Sequence, residues 1–209
     1  MQRSISEESI RFRSGAWSLE GRLAAPPAAT HAAVVCHPHP QYGGDMDNPV
    51  VVAAAQALAA RGVAALRFNF RGVGDSEGSY SGNLSETEDA RAALGLLNER
   101  FSGAALALGG YSFGAMVALA AGHDHPGVER LFAISLPATM FDASSFAAST
   151  KPKLFLLGDR DQYCPYPALE ALVATFAGEN ELVKLSGADH FLAGFGQAIG
   201  EAVAKFVDG

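Results

Sequence analysis

The chain has 209 residues, 49 % hydrophobic and 18 % charged, which suits one globular domain with a sizeable core. Its formal net charge is −7 with no basic run, which argues against nucleic acid or an anionic membrane as the main partner. No signal-peptide core opens the chain and no apolar run suits a bilayer span. The two cysteines, Cys36 and Cys164, lie far apart, so the expectation is a reducing cytoplasm without a disulfide framework.

Residues 9–13 and 17–23 read as two strands joined at Ser14-Gly15 into a hairpin. A small-residue connector, residues 24–29, leads to the apolar run 32–36, which suits a strand covered on both faces. It ends in His37-Pro38-His39-Pro40-Gln41-Tyr42-Gly43-Gly44, where Pro and Gly forbid regular structure. Asn48-Pro49 opens a helix through Ala53 and Leu58 to Arg61, stopped by Gly62. Residues 63–68 form the next buried strand. A glycine-rich loop follows, which Arg71 and Asp75 are expected to organise. The pattern Ser85-x-x-Glu88 predicts a capping box on a helix reaching Arg100.

Residues 106–111 are a further buried strand, entering Gly110-x-Ser112-x-Gly114 and then a helix that ends near Gly122. A serine on so sharp a strand-to-helix bend has its hydroxyl pushed out above the sheet, and the glycines leave room for strand and helix to approach. Strands follow at 129–134, 153–157 and 181–185, and helices at 166–177 and 192–207. The last helix carries Phe195, Ile199, Val203 and Phe206 on one stripe. Strands alternating with helices after an initial hairpin predict an α/β fold. Its sheet is mostly parallel and twisted, with an antiparallel N-terminal strand and helices on both faces.

In such a sheet functional groups collect beyond the carboxyl ends of the strands. One strand end offers Ser112, a later one Asp161, and the last His190, one of the known chain orders of a serine–histidine–acid triad. A serine hydroxyl is a poor nucleophile until a base takes its proton, and a histidine does so near neutral pH. An aspartate on the far side of the imidazole holds the tautomer and stabilises the imidazolium. Asp161 lies far enough into its loop to turn towards His190, while the alternative acid, Asp159, is placed to brace the turn. Asp189 directly precedes His190 and is expected to point away from it. Acyl transfer also needs oxyanion donors. One is the Phe113 N–H at the helix start; the other comes from the loop after the 32–36 strand, where Pro38 and Pro40 have no N–H. His39 is the first choice there and Gln41 the second. The pairs His37-x-His39 and His123-x-His125 lack a placed carboxylate or cysteine partner, so no metal is expected.

With these segments in view, the chain resembles the α/β-hydrolase superfamily from Ser9 to Val207. It is similar in particular to the small intracellular serine hydrolases related to the dienelactone-hydrolase-like proteins. The resemblance is carried by His37-Pro38-His39-Pro40 with residues 43–48, by residues 66–74, by Gly110-Tyr111-Ser112-Phe113-Gly114, and by Asp161 and His190. It implies the fold, a Ser112–His190–Asp161 triad and hydrolysis without a cofactor. Dienelactone hydrolases carry cysteine at the bend where this chain has Ser112, so dienelactone itself is not the expected substrate. Residues 136–152, roughly 17 in number, are too few for a lid domain. Pro137, Met140, Phe141 and Phe146 are expected to form a short helix or wall beside an open site. The expected activity is hydrolysis of short-chain carboxylic esters, with peptide or thioester cleavage, or binding without catalysis, as the alternatives.

Overall fold

The computed structural model describes residues 6–140, 142–144 and 146–209. Its strands are β1 (Glu7–Ser14), β2 (Trp17–Ala24), β3 (His31–Cys36), β4 (Ala64–Phe68), β5 (Ala105–Tyr111), β6 (Val128–Ile134), β7 (Lys153–Gly158) and β8 (Asn180–Leu185). Among the described residues the helices are α1 (Pro49–Ala60), α2 (Glu86–Arg100), α3 (Phe113–Gly122), α4 (Tyr166–Val173) and α5 (Gly196–Asp208), with 3-10 turns at Pro40–Tyr42 and Ala138–Met140.

All eight strands join one sheet in the order β1-β2-β4-β3-β5-β6-β7-β8. β1 and β2 pair antiparallel, as do β2 and β4; every later pair is parallel. Successive strand residues point to opposite faces, and in β3, β4, β5 and β7 both faces are covered, which explains their mostly apolar runs. Ala33 and Val35 of β3 face α1 and α5 together with Phe132, Leu154 and Leu156. Ala32, Val34 and Cys36 face α2, α3 and α4 with Leu66, Leu108 and Phe155. α1 and α5 lie against each other: a Cβ on Gly200 would sit 2.7 Å from that of Ala57.

The expected fold holds, with local corrections. Ser14 pairs with Trp17, so the hairpin turn is Gly15-Ala16 rather than Ser14-Gly15. No capping box forms at Ser85. That residue is already helical, and its hydroxyl donates to Asn83 Oδ1 at 2.6 Å. Glu88 is drawn instead to the Arg71 guanidinium at 2.9 Å. The buried Glu86 ties the helix start back to Ser81, whose N–H and hydroxyl it accepts at 2.9 Å each. Arg71 does organise its loop, pairing through Nε and Nη2 with the fully buried Asp89. Asp75 contributes only backbone groups, and the buried Ser76 bonds Glu20 N–H and the Asn69 carbonyl in its place.

α4 stops at Val173, four residues early, because tighter turns through Thr175 and Phe176 drop Phe176 between Phe146 and Phe155. α5 starts only at Gly196. Before it, Leu192 and Gly194 adopt positive φ, and Asp189 caps the turn through the N–H groups of Phe191 and Leu192. The buried face of α5 is centred on Ile199, Val203 and Val207; Phe195 and Phe206 lie at its margins, Phe206 beneath the Arg130 guanidinium.

Candidate active site

The carboxyl ends of β5, β7 and β8 converge on one point. Ser112 lies between β5 and α3 with φ 54° and ψ −116°, a conformation that L-residues avoid. The bend is tight enough to demand its glycines. A Cβ on Gly110 would lie 2.5 Å from the Gly114 carbonyl, and one on Gly114 2.4 Å from the Cys36 carbonyl oxygen. The Ser112 N–H donates to the Ile134 carbonyl at 2.8 Å, which pins the bend to the neighbouring strand.

The loops after β7 and β8 are locked together. Gly158 approaches so closely that a Cβ would lie 2.2 Å from the Ala188 carbonyl oxygen. Arg160 N–H donates to that same oxygen at 2.9 Å, and Asp159 Oδ1 accepts the Gly187 N–H at 2.8 Å. Asp159 is thus the brace, as expected, and Asp161 the residue turned inward. The inward Asp161 Oδ2 accepts from His190 Nδ1 at 2.8 Å, while its Oδ1 accepts the N–H groups of Tyr163 and Cys164. With Nδ1 protonated towards the carboxylate, His190 Nε2 is the acceptor for the Ser112 hydroxyl at 3.0 Å. Asp161 and His190 are both buried, whereas Ser112 is half-buried at the floor of a cavity.

Sequence reasoning missed several supports of this arrangement. The Tyr111 hydroxyl donates to the His190 carbonyl at 2.9 Å, and burial beside Asp161 pushes its pKa up to about 12, so it stays a donor. The Tyr163 ring stands edge-on to His190, and the Gln162 amide oxygen meets the His190 N–H. Tyr111 was within reach, since it immediately precedes the serine of the glycine bend; nothing local marks the other two.

The loop after β3 supplies the facing wall. His37 is buried with both nitrogens spent: Nδ1–H donates to the Pro38 carbonyl and Nε2 accepts the Phe70 N–H. Burial lowers its pKa to about 4, so it is neutral. Gly44 folds so tightly under this loop that a Cβ would meet the Pro38 carbonyl oxygen at 2.2 Å. The Gln41 N–H is engaged by His39 Nδ1, whereas the His39 N–H has no acceptor among the described residues. Phe113 opens α3, so its N–H has no intrahelical partner.

The cavity measures about 610 Å³ and is walled by the rings of Tyr80, Phe113 and Tyr163 and the side chains of Pro137 and Met140. No Asp, Glu, Lys or Arg is among its described lining residues. Phe146 is buried against Phe176 rather than lining it, and Phe141 lies outside the described residues. No cluster of three or more metal-ligating side chains occurs among the described residues, and no described helix is long and apolar enough to cross a membrane.

The doubly covered parallel sheet and the serine at the glycine bend make this an α/β-hydrolase of the small lidless branch. The chain belongs to the family described as serine aminopeptidase, S33, whose model matches residues 43–149. An alpha-beta serine hydrolase homologue from Coxiella burnetii is 32 % identical and superposes with a TM-score of 0.88 over 95 % of this chain and 96 % of its own. An α/β serine hydrolase without a lid from Xanthomonas campestris is 30 % identical, with a TM-score of 0.85 over 97 % of this chain and 95 % of its own. An uncharacterised protein of Rickettsia prowazekii (strain Madrid E) is 35 % identical over 192 residues, 87 % of this chain and 81 % of the relative.

Proposed function

We propose that the protein hydrolyses small, uncharged carboxylic esters through an acyl-enzyme on Ser112. The reading is carried by the unbroken hydrogen-bond chain from Asp161 through His190 to Ser112 at the floor of an open cavity. Ser112 Oγ attacks the acyl carbon while His190 Nε2 takes its proton. Asp161 stabilises the imidazolium formed. The carbonyl oxygen, now an oxyanion, takes hydrogen bonds from the N–H groups of Phe113 and His39, with the positive end of α3 adding to the field. His190 then returns the proton to the departing alcohol. Water, deprotonated by the same imidazole, releases the acid and restores Ser112.

The family description favours a second reading, cleavage of an amide beside a free amino terminus. Such a substrate carries an ammonium group, and an apolar cavity holds a charge only at high cost unless a carboxylate faces it. No described residue lining the cavity supplies one, which supports the neutral ester. A site without a lid domain suits short acyl groups, because a long chain needs a covered apolar channel.

The test is hydrolysis of p-nitrophenyl esters from acetate to palmitate, alongside amino-acid p-nitroanilides, by wild type and by Ser112→Ala. The expected result is a maximum at short acyl chains. The variant loses about 10⁴-fold or more in kcat, together with covalent labelling by a fluorophosphonate. A steep preference for palmitate, or for the anilides, sinks the ester reading. Full activity in the variant sinks the role of Ser112.

A further inference from the structure

Tyr80 is held in the cavity from three directions, and the protonation of its neighbour decides what it offers. Its backbone lies against Gly72, where a Cβ would sit 2.9 Å from the Tyr80 nitrogen and 2.7 Å from Ser79 Cα. The next residue, Ser81, is tied to the buried Glu86 at the start of α2. The ring packs against those of His39 and Phe113, with centroids 5.0 and 5.8 Å away. An aromatic ring needs few torsions to be fixed, so the hydroxyl occupies a defined place.

His39 Nδ1 accepts the Gln41 N–H at 3.2 Å and so carries no proton. Burial lowers the basicity of His39, which keeps the ring neutral. Its one proton is therefore on Nε2, which lies 3.1 Å from the Tyr80 hydroxyl oxygen. That oxygen is thus an acceptor from the histidine, and the hydroxyl proton has to point elsewhere. No described protein group takes it, and the side chain lines the cavity. The tyrosine is a donor aimed at whatever fills the cavity, and burial raises its pKa, so it keeps that proton through the neutral range.

Resting on the ester reading, the geometry points to Tyr80 as a specificity-determining residue that donates a hydrogen bond to a neutral oxygen of the substrate, such as an ether, hydroxyl or second carbonyl, beyond the scissile ester. The absence of Lys and Arg from the described lining favours an uncharged acceptor over a carboxylate. A purely hydrocarbon substrate leaves the donor facing an apolar surface, which is unfavourable.

The experiment compares pairs of esters that differ by one oxygen in place of one methylene. p-Nitrophenyl methoxyacetate against p-nitrophenyl butyrate reads the acyl side; 2-methoxyethyl butyrate against butyl butyrate reads the alcohol side. The measured quantity is the oxygen-over-methylene ratio of kcat/KM in wild type divided by that in Tyr80→Phe. Any common loss, and the intrinsic reactivity of each ester, cancel in this double ratio. For one of the two pairs it is expected to be about 5- to 10-fold. A value near 1 for both pairs, with butyrate esters still hydrolysed by wild type, overturns the role of Tyr80 alone. A common loss on all four esters with unchanged ratios assigns Tyr80 a structural part and likewise overturns it. Absence of hydrolysis of all four by wild type overturns the ester reading and this inference together.

Discussion

His37 and His190 stand at the ends of two parallel strands, both buried, and they do opposite things. His37 Nδ1 meets a backbone carbonyl and His190 Nδ1 a carboxylate. A carbonyl fixes a tautomer but offers little to a positive ring, so His37 is locked neutral as a strut between the loops after β3 and β4. A carboxylate fixes the same tautomer and also stabilises the charge, so His190 is equipped to receive a proton. The second nitrogen completes the contrast: it holds a backbone N–H in one case and a serine hydroxyl in the other. Burial alone therefore does not equip a histidine to take up a proton; a carboxylate at Nδ1 does.

The contrast is broken most severely by Asp161→Asn. Oδ1 already accepts two N–H groups, so the new amide keeps its oxygen there and turns its NH₂ towards His190. Nδ1 then becomes the acceptor, the proton moves to Nε2, and the ring is a donor to Ser112 instead of its base. The expected loss in kcat is about 10⁴-fold, measured on a short p-nitrophenyl ester. Retention of activity within tenfold of wild type shows that the carboxylate is dispensable.

A smaller effect sharpens the other half. His37 has its folded pKa depressed to about 4 from an ordinary 6.5. Between those values the unfolded chain binds the proton and the folded chain does not. Its contribution is thus complete above about pH 6.5 and is lost as pH falls to about 4, amounting to about 3 kcal/mol. Urea unfolding from pH 7 to 4 should show this decline, and His37→Gln should flatten that part of it. An unchanged slope in the variant assigns the acid sensitivity to other groups.

The smallest effect belongs to Tyr111→Phe, which removes the hydroxyl anchoring the His190 carbonyl. A loss of about 1 kcal/mol in stability and up to about tenfold in kcat, with KM little changed, is expected. An unchanged kcat makes Tyr111 a packing residue only.

Ser112 and Asp161 were legible because each follows an apolar run that has to be a strand, and His190 because it follows the last strand; the glycines on both sides of Ser112 marked a place where two backbones crowd. Asp159 and Asp161 separated on the same logic of position in the loop. Tyr80 and Tyr111 carry no such mark. The Tyr111 hydroxyl meets a carbonyl 79 residues away, and the orientation of Tyr80 depends on a proton whose place is set by Gln41. The capping box failed for a related reason. Arg71 reaches 17 residues forward to claim Glu88, a competition invisible at the spacing of one helical turn. Helix α4 ended early because a core slot between Phe146 and Phe155 attracts Phe176 more strongly than continued helix does.

The backbone of Ser112 sets selection for durability against selection for turnover. Its positive φ costs on the order of 1–3 kcal/mol, a charge that glycine at the same place escapes. A population screened only for heat tolerance is thus rewarded for discarding the proposed nucleophile, and any programme to harden this protein has to screen for turnover in the same round.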